Sequence, residues 1–533
     1  MKTLVINLTR FGDLLQTQPV LSALHDQGHE VGLVCLENFA PAAELLRDVD
    51  AVFALPGARF LANLDKDWRL SVQSFWEWGG DELRGFSPER VINLTASIPA
   101  RLLTRFVSLG SDKVRATGFC LDEFGFGEHS SAWAAFLQAS SKNRGCSPFN
   151  LVDLFWQAAE CGPGVRRFEL QIPDEHARTE ASAMLKANAP KECKGFVAFQ
   201  LGASAEVRRW PLSYFAGLAG MLWEEFSLCP VLLGSQGEAH LGRRFESEIN
   251  FPVVNLIGKT SFSELASVLT QVKMLITNDT GTMHLAAGLG CPVAAIFLAT
   301  AQPWDTGPYA PGCLCLEPDM DCHPCGFSKS CPLREACRKK ITPEAVFSML
   351  QGYFENGSFD PGAAASRVAV SGVRAWETRV QDGFMGLLSL SGHEDCDRTK
   401  WVRVQRYLYR QFLDCGQVLP WPGEAYALSE QMRLAVTQVL EQSERLLFLL
   451  CEQVNVLQKA PHQAVQRKFL ENWQRLSATW AQSPYFSVLS ELWREESQSA
   501  GENLDGLPAL MRRYHALLSV WRGVFENNGT KLE

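Results

Sequence analysis

Residues 274–297 read MLITNDTGTMHLAAGLGCPVAAIF, and this stretch decides the fold class. The apolar residues 274–276 predict a buried strand, a polar turn follows, and a helix is expected to begin near Gly281. Residues 293–297 predict the next strand. Apolar strands that alternate with helices are typical of a parallel sheet covered on both faces. The stretch therefore predicts one β-α-β unit.

The same alternation runs outward from this unit and occurs as two series. Short apolar segments that predict strands lie at residues 4–6, 31–36, 51–55, 91–94, 196–199, 231–233, 253–256, 274–276 and 293–297. Two successive series of about 170 residues each predict two Rossmann-like domains with a cleft between them. The fold class is therefore α/β.

The last third of the chain has a different pattern. Residues 357–366 are rich in Gly, Ser and Ala and predict a linker. After residue 399, Leu and aromatic residues recur at helical spacing, which predicts a helical bundle with its aromatic residues in the core. We therefore divide the chain into a first Rossmann-like domain (1–187), a second (188–356), a linker (357–374) and a helical accessory domain (375–533).

Composition limits the class of protein. The 533 residues carry a net charge of −9, which argues against a nucleic-acid-binding protein because no basic face dominates. The first apolar run is too short for a signal peptide, and no stretch approaches the roughly 20 apolar residues that cross a bilayer. We expect a cytoplasmic protein whose sixteen cysteines are not paired in disulfides.

The turn after residues 274–276 carries groups that suit a phosphate. Asp279, Thr280 and Gly281 follow a predicted parallel strand at its carboxyl end, where open α/β sheets bind ligands. The amides of a helix N-terminus favour an anion, and Gly281 lets the backbone approach it. His284 is expected on the first helical turn, facing the cleft. The alternative is that Asp279 or Thr280 caps the helix and His284 packs locally.

A second turn, after residues 196–199, adds positive charge. Ser204 lies on this turn, and Arg208 and Arg209 follow it. Backbone amides with fixed guanidinium groups suit a diphosphate, although a solvated basic loop has the same pattern. Glu238, after residues 231–233, is a candidate for holding a ribose hydroxyl or the sugar.

Asp13 lies on the first β-α turn of the first domain, where it is expected to face the second domain across the cleft. A carboxylate there can take a proton from an acceptor hydroxyl as that hydroxyl attacks a sugar. The alternative role of Asp13 is to cap the helix that follows.

Six cysteines lie between residues 313 and 337. Four of them predict a thiolate site for a structural zinc or iron ion: Cys322, Cys325, Cys331 and Cys337. The spacing differs from that of a zinc ribbon, and buried free thiols explain the pattern equally well. Four thiolates leave no open coordination position, so any metal would be structural and not catalytic.

Three segments of the sequence resemble glycosyltransferase family 9, the heptosyltransferases of lipopolysaccharide inner core assembly. They are RFGDLLQTQP at residues 10–19, GAS followed by RRWP at residues 202–211, and NDTGTMHLAAGLGCPVAAIF at residues 278–297. The resemblance implies a GT-B fold, metal-independent and inverting transfer without a cofactor, and ADP-heptose as the usual donor.

The resemblance also implies roles for single residues. Asp13 matches the general base, and Glu238 matches a glutamate that helps to hold the donor. Arg208 stands where the family usually has a lysine, so the donor can differ in detail from ADP-heptose. Four residues match the contacts of the nucleotide sugar: Asp279, Thr280, Gly281 and His284.

The acceptor is the least constrained partner. The first domain would hold it, through basic residues that are otherwise ordinary surface charges: Arg10, Arg101, Arg105, Lys113 and Arg115. The acceptor is expected to be a lipid-linked saccharide, with peripheral association at the inner face of the cytoplasmic membrane left open. The added helical domain would suit a protein acceptor, and it could also dock a partner or mediate oligomerisation. The alternative class is a non-catalytic GT-B-like binding or scaffold protein that acts through its helical domain.

Overall fold

The computed structural model describes residues 1–62, 67–109, 114–142, 147–327, 330–357, 359, 372–422, 427–460, 462–500 and 504–526. Lys113 and most of the predicted linker lie outside these residues. The chain divides into two compact units. The first unit contains residues 1–124 and 149–392, and the second contains residues 125–148 and 393–533.

The first unit begins with a parallel sheet. Its strands are β1 (Lys2–Ile6), β2 (Glu30–Leu36), β3 (Ala51–Leu55), β4 (Arg90–Asn93) and β5 (Arg115–Leu121), in the order β3-β2-β1-β4-β5. Its helices are α1 (Phe11–Leu15), α2 (Gln18–Asp26), α3 (Ala40–Ala43), α4 (Gly57–Leu61), α5 (Trp68–Trp78) and α6 (Ile98–Ser108). The strand order reverses between β1 and β4, and such a switch point opens a crevice at the carboxyl ends of the strands.

The chain then contributes β6 (Gly127–His129) and α7 (Ala132–Lys142) to the second unit. It returns to the first unit with α8 (Leu151–Ala158) and α9 (Glu175–Ala187).

The second sheet of the first unit has eight strands. They are β7 (Gly195–Gln200), β8 (Leu228–Leu233), β9 (Val254–Asn255), β10 (Leu275–Asn278), β11 (Val293–Ile296), β12 (Leu314–Pro318), β13 (Val373–Gln381) and β14 (Phe384–Ser389). The order is β14-β13-β12-β11-β10-β7-β8-β9, with β7 to β12 parallel and β13 and β14 antiparallel. The switch point of this sheet lies between β7 and β10.

Six helices connect these strands or follow them. They are α10 (Leu212–Phe226), α11 (Ala239–Glu248), α12 (Phe262–Leu269), α13 (Gly281–Gly288), α14 (Pro303–Thr306) and α15 (Pro343–Asn356). The inward residues of the strands, such as Val197, Phe199 and Ile276, are at most 1% exposed and form one core with Phe215 and Val346 of the covering helices. The prediction of two Rossmann-like α/β domains is confirmed.

The domain boundaries differ from those predicted. The helical domain was expected to begin at residue 375, but β13 and β14 extend the second sheet, and the first unit ends at Gly392. The first strand was missed because residues 373–381 mix charged and apolar side chains and lack a continuous apolar run. The short apolar run of the second strand, residues 384–388, was not recognised as a strand. The second unit also takes residues 125–148, which were assigned to the first Rossmann-like domain.

The described residues of the second unit form helices and connecting loops, apart from β6. Its helices after α7 are α16 (Asp397–Cys415), α17 (Glu430–Lys459), α18 (Gln463–Gln482), α19 (Ser487–Ala500) and α20 (Leu507–Glu526). Trp480 stacks on Tyr514 with ring centroids 6.0 Å apart, and Trp493 meets Tyr514 edge-on at 5.0 Å. All three are at most 1% exposed. The predicted helical region and the core role of its aromatic residues are therefore confirmed.

Among the described helices, none combines the length and the apolar composition needed to cross a bilayer.

Candidate functional site

Two turns meet at the switch point of the second sheet. One follows β7 and the other follows β10, and Asn278 at the end of β10 joins them. Its side-chain nitrogen donates to the carbonyls of Leu201 (3.1 Å) and Gly202 (3.0 Å), and its oxygen accepts from the Trp210 amide at 2.9 Å. Asn278 is fully buried, so these bonds fix the shape of the site.

The predicted residues Arg208 and Asp279 form an ion pair in this site. The Arg208 Nη1 atom lies 3.4 Å from Asp279 Oδ2, and the two side chains are 14% and 10% exposed. Arg208 Nε also donates to Thr300 Oγ1 at 2.8 Å. The guanidinium is thereby held at the carboxyl edge of the sheet, where an anionic ligand is expected.

The N-terminus of α13 lies beside this pair. Thr280 is the N-cap residue, yet its side chain makes no capping hydrogen bond within the described residues and lies 3.1 Å from Thr277 Oγ1 instead. The capping role considered for Asp279 or Thr280 is therefore not what the structure shows. The first amides of α13 and the helix dipole can stabilise negative charge.

Glu238 lies over the turn after β7. Its carboxylate accepts from the Ser235 amide (2.7 Å) and hydroxyl (2.9 Å) in a capping box. A Cβ atom added to Gly202 would overlap the Glu238 carboxylate, so a larger residue there would displace that carboxylate from its capping box. The structure therefore brings Glu238 to the predicted site and also gives it a local structural role.

The other two residues of the basic turn lie differently. Arg209 donates from Nε and Nη2 to the Ala203 carbonyl at 3.3 Å, and Ser204 is exposed. Arg209 thus braces its own turn, and the prediction that it binds the donor stays a prediction. The prediction for Ser204 also stays untested.

The two Rossmann-like domains touch at the turn after β1. A Cβ atom on Gly12 would lie 3.0 Å from Gly281 Cα and 3.0 Å from His284 Cδ2. The ring of Phe11 stacks on that of Phe262 with centroids 4.6 Å apart. Gly281 was expected to let the backbone approach a phosphate, but in this structure its missing side chain admits Phe11 and Gly12.

Asp13 and His284 lie on opposite sides of this contact. Asp13 is half-buried on α1, and His284 is 4% exposed on α13. Gln16 connects them, because its Nε2 atom lies 3.5 Å from Asp13 Oδ1 and 3.3 Å from His284 Nε2. The predicted general base and the predicted donor-site histidine are thus two contacts apart.

The predicted acceptor residues are scattered. Arg10 and Arg105 are exposed. Arg101 is only 5% exposed and donates to the carbonyls of Ala96 (3.2 Å) and Cys120 (2.7 Å). This geometry gives Arg101 a structural role, since its guanidinium is directed at the backbone. Arg115 pairs with Glu160.

The cysteine segment, residues 313–337, contacts the loops of the candidate site. The Cys325 amide donates to the Ala299 carbonyl at 2.8 Å, next to Thr300, and Arg338 Nε donates to the Arg209 carbonyl at 3.0 Å. His323, between two cysteines, is 3% exposed and lies 3.2 Å from the buried Glu317 carboxylate. The segment therefore acts as a brace behind the site.

The metal prediction has a mixed result. Burial raises the pKa of the Cys337 thiol, and the nearby Cys331 and Cys322 add to this rise, so three of the four sulfurs share one neighbourhood. Across the described ranges, however, no group of three or more His, Cys, Asp or Glu side chains is arranged to hold a metal ion. The residues do not fit a metal in this geometry, and the four-thiolate site stays a prediction.

Four supporting residues were missed by sequence reasoning: Gln16, Asn278, Thr300 and Arg338. Each acts through a partner more than 65 residues away in the chain. Only Asn278 gave a usable signal, as an amide directly after an apolar strand and before Asp279.

Comparisons with known proteins agree with this architecture. Residues 126–336 match the model of Glycosyltransferase family 9 (heptosyltransferase). Lipopolysaccharide heptosyltransferase 1 of Pseudomonas aeruginosa is 25% identical over 372 residues, which cover 66% of this chain and 97% of that relative. Lipooligosaccharide heptosyltransferase 2 of Campylobacter jejuni is 29% identical over 163 residues, which span 29% of this chain and only half of that relative.

A solved structure has the same fold of two Rossmann-like domains. The glycosyl transferase family 9 protein from Veillonella parvula superposes with a TM-score of 0.52 and 18% identity, covering 66% of this chain and 96% of its own. The two Rossmann-like domains thus have the GT-B arrangement. Together these findings show that the chain is similar to the heptosyltransferases of glycosyltransferase family 9, and that it carries a helical region at its C-terminal side.

Proposed function

We propose that this chain is an inverting glycosyltransferase that moves a heptose or a similar sugar from a nucleotide diphosphate sugar, with ADP-heptose as the first candidate, to a hydroxyl. The acceptor hydroxyl belongs to a lipopolysaccharide core, another surface glycan or a protein. The observation that carries the proposal is the Arg208–Asp279 pair, which lies at the sheet's switch point beside the α13 N-terminus and opposite the turn that holds Asp13.

The proposed reaction is a single displacement. Asp13 takes the proton of the acceptor hydroxyl, and the hydroxyl oxygen forms a bond to the anomeric carbon on the face opposite the nucleotide. The bond between that carbon and the diphosphate oxygen breaks, and its electron pair stays on the diphosphate. Arg208 and the first amides of α13 stabilise the charge that develops there, so this chain's own groups supply the positive potential.

The rival proposal is a non-catalytic GT-B-like binding or scaffold protein that acts through the helical unit. A scaffold has no need for a cation and an anion held almost buried at a ligand edge, because such a pair loses solvation without adding to a docking surface. This observation favours the transferase. The helical unit is then proposed to dock the acceptor or a partner, or to mediate oligomerisation.

The first domain supports a proposal of peripheral membrane association. Trp68, Val72 and Trp76 are 63%, 52% and 53% exposed along one side of α5, and Ile98 and Leu102 are 71% and 52% exposed on α6. Exposed tryptophans and aliphatic side chains on neighbouring helices suit the boundary of a lipid bilayer. Sedimentation with anionic liposomes tests this, and a Trp68→Ser, Val72→Ser variant should bind less; equal sedimentation of both proteins contradicts it.

Donor binding tests the proposed function. Isothermal titration of ADP-heptose and of a panel of ADP-, GDP- and UDP-sugars should find a donor that binds. Arg208→Ala should weaken that binding by about 10- to 100-fold, because a charge-assisted contact is lost. Arg244→Ala is the matched control, since Arg244 is exposed on α11 and pairs only locally with Glu248. If no nucleotide sugar binds, the scaffold proposal takes precedence.

A further inference from the structure

Gln16 lies at the end of α1, at the contact between the two Rossmann-like domains. It is 0% exposed. Its Nε2 atom lies 3.3 Å from the Gly12 carbonyl oxygen, 3.5 Å from Asp13 Oδ1 and 3.3 Å from His284 Nε2. One amide nitrogen therefore faces the acceptor-side carboxylate and the donor-side imidazole at once.

The orientation of the Gln16 amide follows from these neighbours. A carbonyl oxygen and a carboxylate oxygen only accept hydrogen bonds, so the atom that faces them must be the NH₂ nitrogen. That nitrogen has no lone pair to offer, so His284 Nε2 must accept its second hydrogen. In the neutral ring the proton of His284 is then on Nδ1, and the ring is held in one tautomer.

The carbonyl oxygen of the Gln16 side chain indicates that the contact of its nitrogen with Asp13 and His284 does not serve to stabilise the fold. Its Oε1 atom is buried and has no hydrogen-bond partner among the described residues. A buried acceptor without a partner costs about 1–3 kcal/mol. A methionine would fill the same space without that cost, so the amide is better explained by what its nitrogen holds in place.

We propose that Gln16 is a positioning residue that couples Asp13 to His284 across the cleft when the two domains are closed. Its nitrogen orients the carboxylate toward the acceptor side and fixes the His284 ring on the donor side. The effect on turnover rests on the proposed function, whereas the contact and the tautomer do not.

Gln16→Met tests the coupling, with Gln18→Met as the matched control. Gln18 is also a fully buried amide near α1, but it bonds to Ser22 and to the backbone of Arg47. Gln16→Met should lower kcat about 10- to 100-fold with the donor dissociation constant changed less than about threefold, because orientation is lost and binding is not. Gln18→Met should retain the wild-type kcat.

A double variant separates coupling from local packing. If Gln16 acts through His284, Gln16→Met should lower kcat less than about threefold further in a His284→Ala background, because coupled residues are not additive. An undiminished effect in that background overturns the proposal, as does a wild-type kcat in the single variant.

The ring tautomer is a readout that needs no turnover. In protein labelled with ¹⁵N-histidine, wild-type His284 should show protonated Nδ1 and unprotonated Nε2 at neutral pH, and Gln16→Met should lose this preference. A protonated Nε2 in the wild type overturns the coupling. If no donor is ever turned over but the tautomer is as expected, the proposed function fails while the Gln16 inference stands.

Discussion

Substitution of Gly281 by alanine tests whether the close contact between the two Rossmann-like domains requires glycine at this position. Gly281 is the first residue of α13, and a Cβ atom there would approach Phe11 Cδ1 more closely than the 3.0 Å that real Cβ atoms keep, with the Gly12 nitrogen at 3.1 Å. The preferred separation is about 3.5–4.0 Å, so we expect the Phe11 ring, and with it the turn that carries Asp13, to move by roughly 1 Å.

The expected magnitudes follow from this displacement. Overpacking costs about 1–3 kcal/mol of unfolding free energy, while replacing glycine by alanine in a helix returns up to about 1 kcal/mol. We expect Gly281→Ala to lose about 1–2 kcal/mol in urea unfolding. A displacement of about 1 Å between reacting groups costs about 100-fold in rate, so kcat should fall by that factor.

Two controls interpret the result. Gly352→Ala lies in α15 with nothing within 4 Å of the new Cβ atom, and it should be neutral or stabilising by up to about 1 kcal/mol. In a Phe11→Ala background, Gly281→Ala should have little further effect because the nearest clash is gone. A Gly281→Ala protein with wild-type stability and kcat would refute the close contact between the domains.

Two further predictions concern the supports of the site, and a third concerns a buried thiol. Asn278→Leu should lower the unfolding free energy by about 2–3 kcal/mol because it leaves a buried backbone amide without a partner; thermal unfolding at an unchanged midpoint contradicts this. Arg338→Ala should raise the donor dissociation constant several-fold by freeing the Arg209 turn, and an unchanged constant shows that the brace is unimportant. Burial raises the pKa of Cys313 from 9.0 to about 12, so the folded state keeps a proton that the unfolded chain loses above pH 9, and stability should fall as pH rises from 9 toward 12. In the native state at pH 9, iodoacetamide should modify the exposed Cys322 and leave Cys313 intact; equal labelling contradicts the burial.

The sequence predicts the fold where strands are formed by continuous apolar segments. Residues 4–6, 31–36 and 274–276 carry enough β-branched and aliphatic side chains to predict buried parallel strands. The first two segments lie within such strands, and the third overlaps one. The antiparallel β13 and β14 were not predicted, because β13 carries Arg374 and Glu377, lacks that pattern and is fixed by pairing with β12 on one side and β14 on the other.

The candidate site likewise has residues that the sequence predicts and residues that it does not. Asp279 and Arg208 each follow a strand end, so sequence order alone predicts that parallel strands bring them to one edge. Gln16 meets His284 only through the packing of two domains, and no local pattern encodes a contact between residues 268 positions apart. The burial of Arg101 was not predicted for a related reason, since composition does not distinguish a surface cation from a buried one that bonds to backbone carbonyls.

The most direct test of the central claim is donor turnover by wild type and by Asp13→Asn, measured by chromatography of the released nucleotide with the donor that binds. Asp26→Asn is the control, because Asp26 is an exposed carboxylate at the end of α2. The account predicts that Asp13→Asn binds the donor within about threefold of wild type and loses at least about 100-fold in turnover, since the proton acceptor is gone. Turnover by Asp13→Asn at the wild-type rate would contradict the assignment of Asp13 as the base and the mechanism built on it.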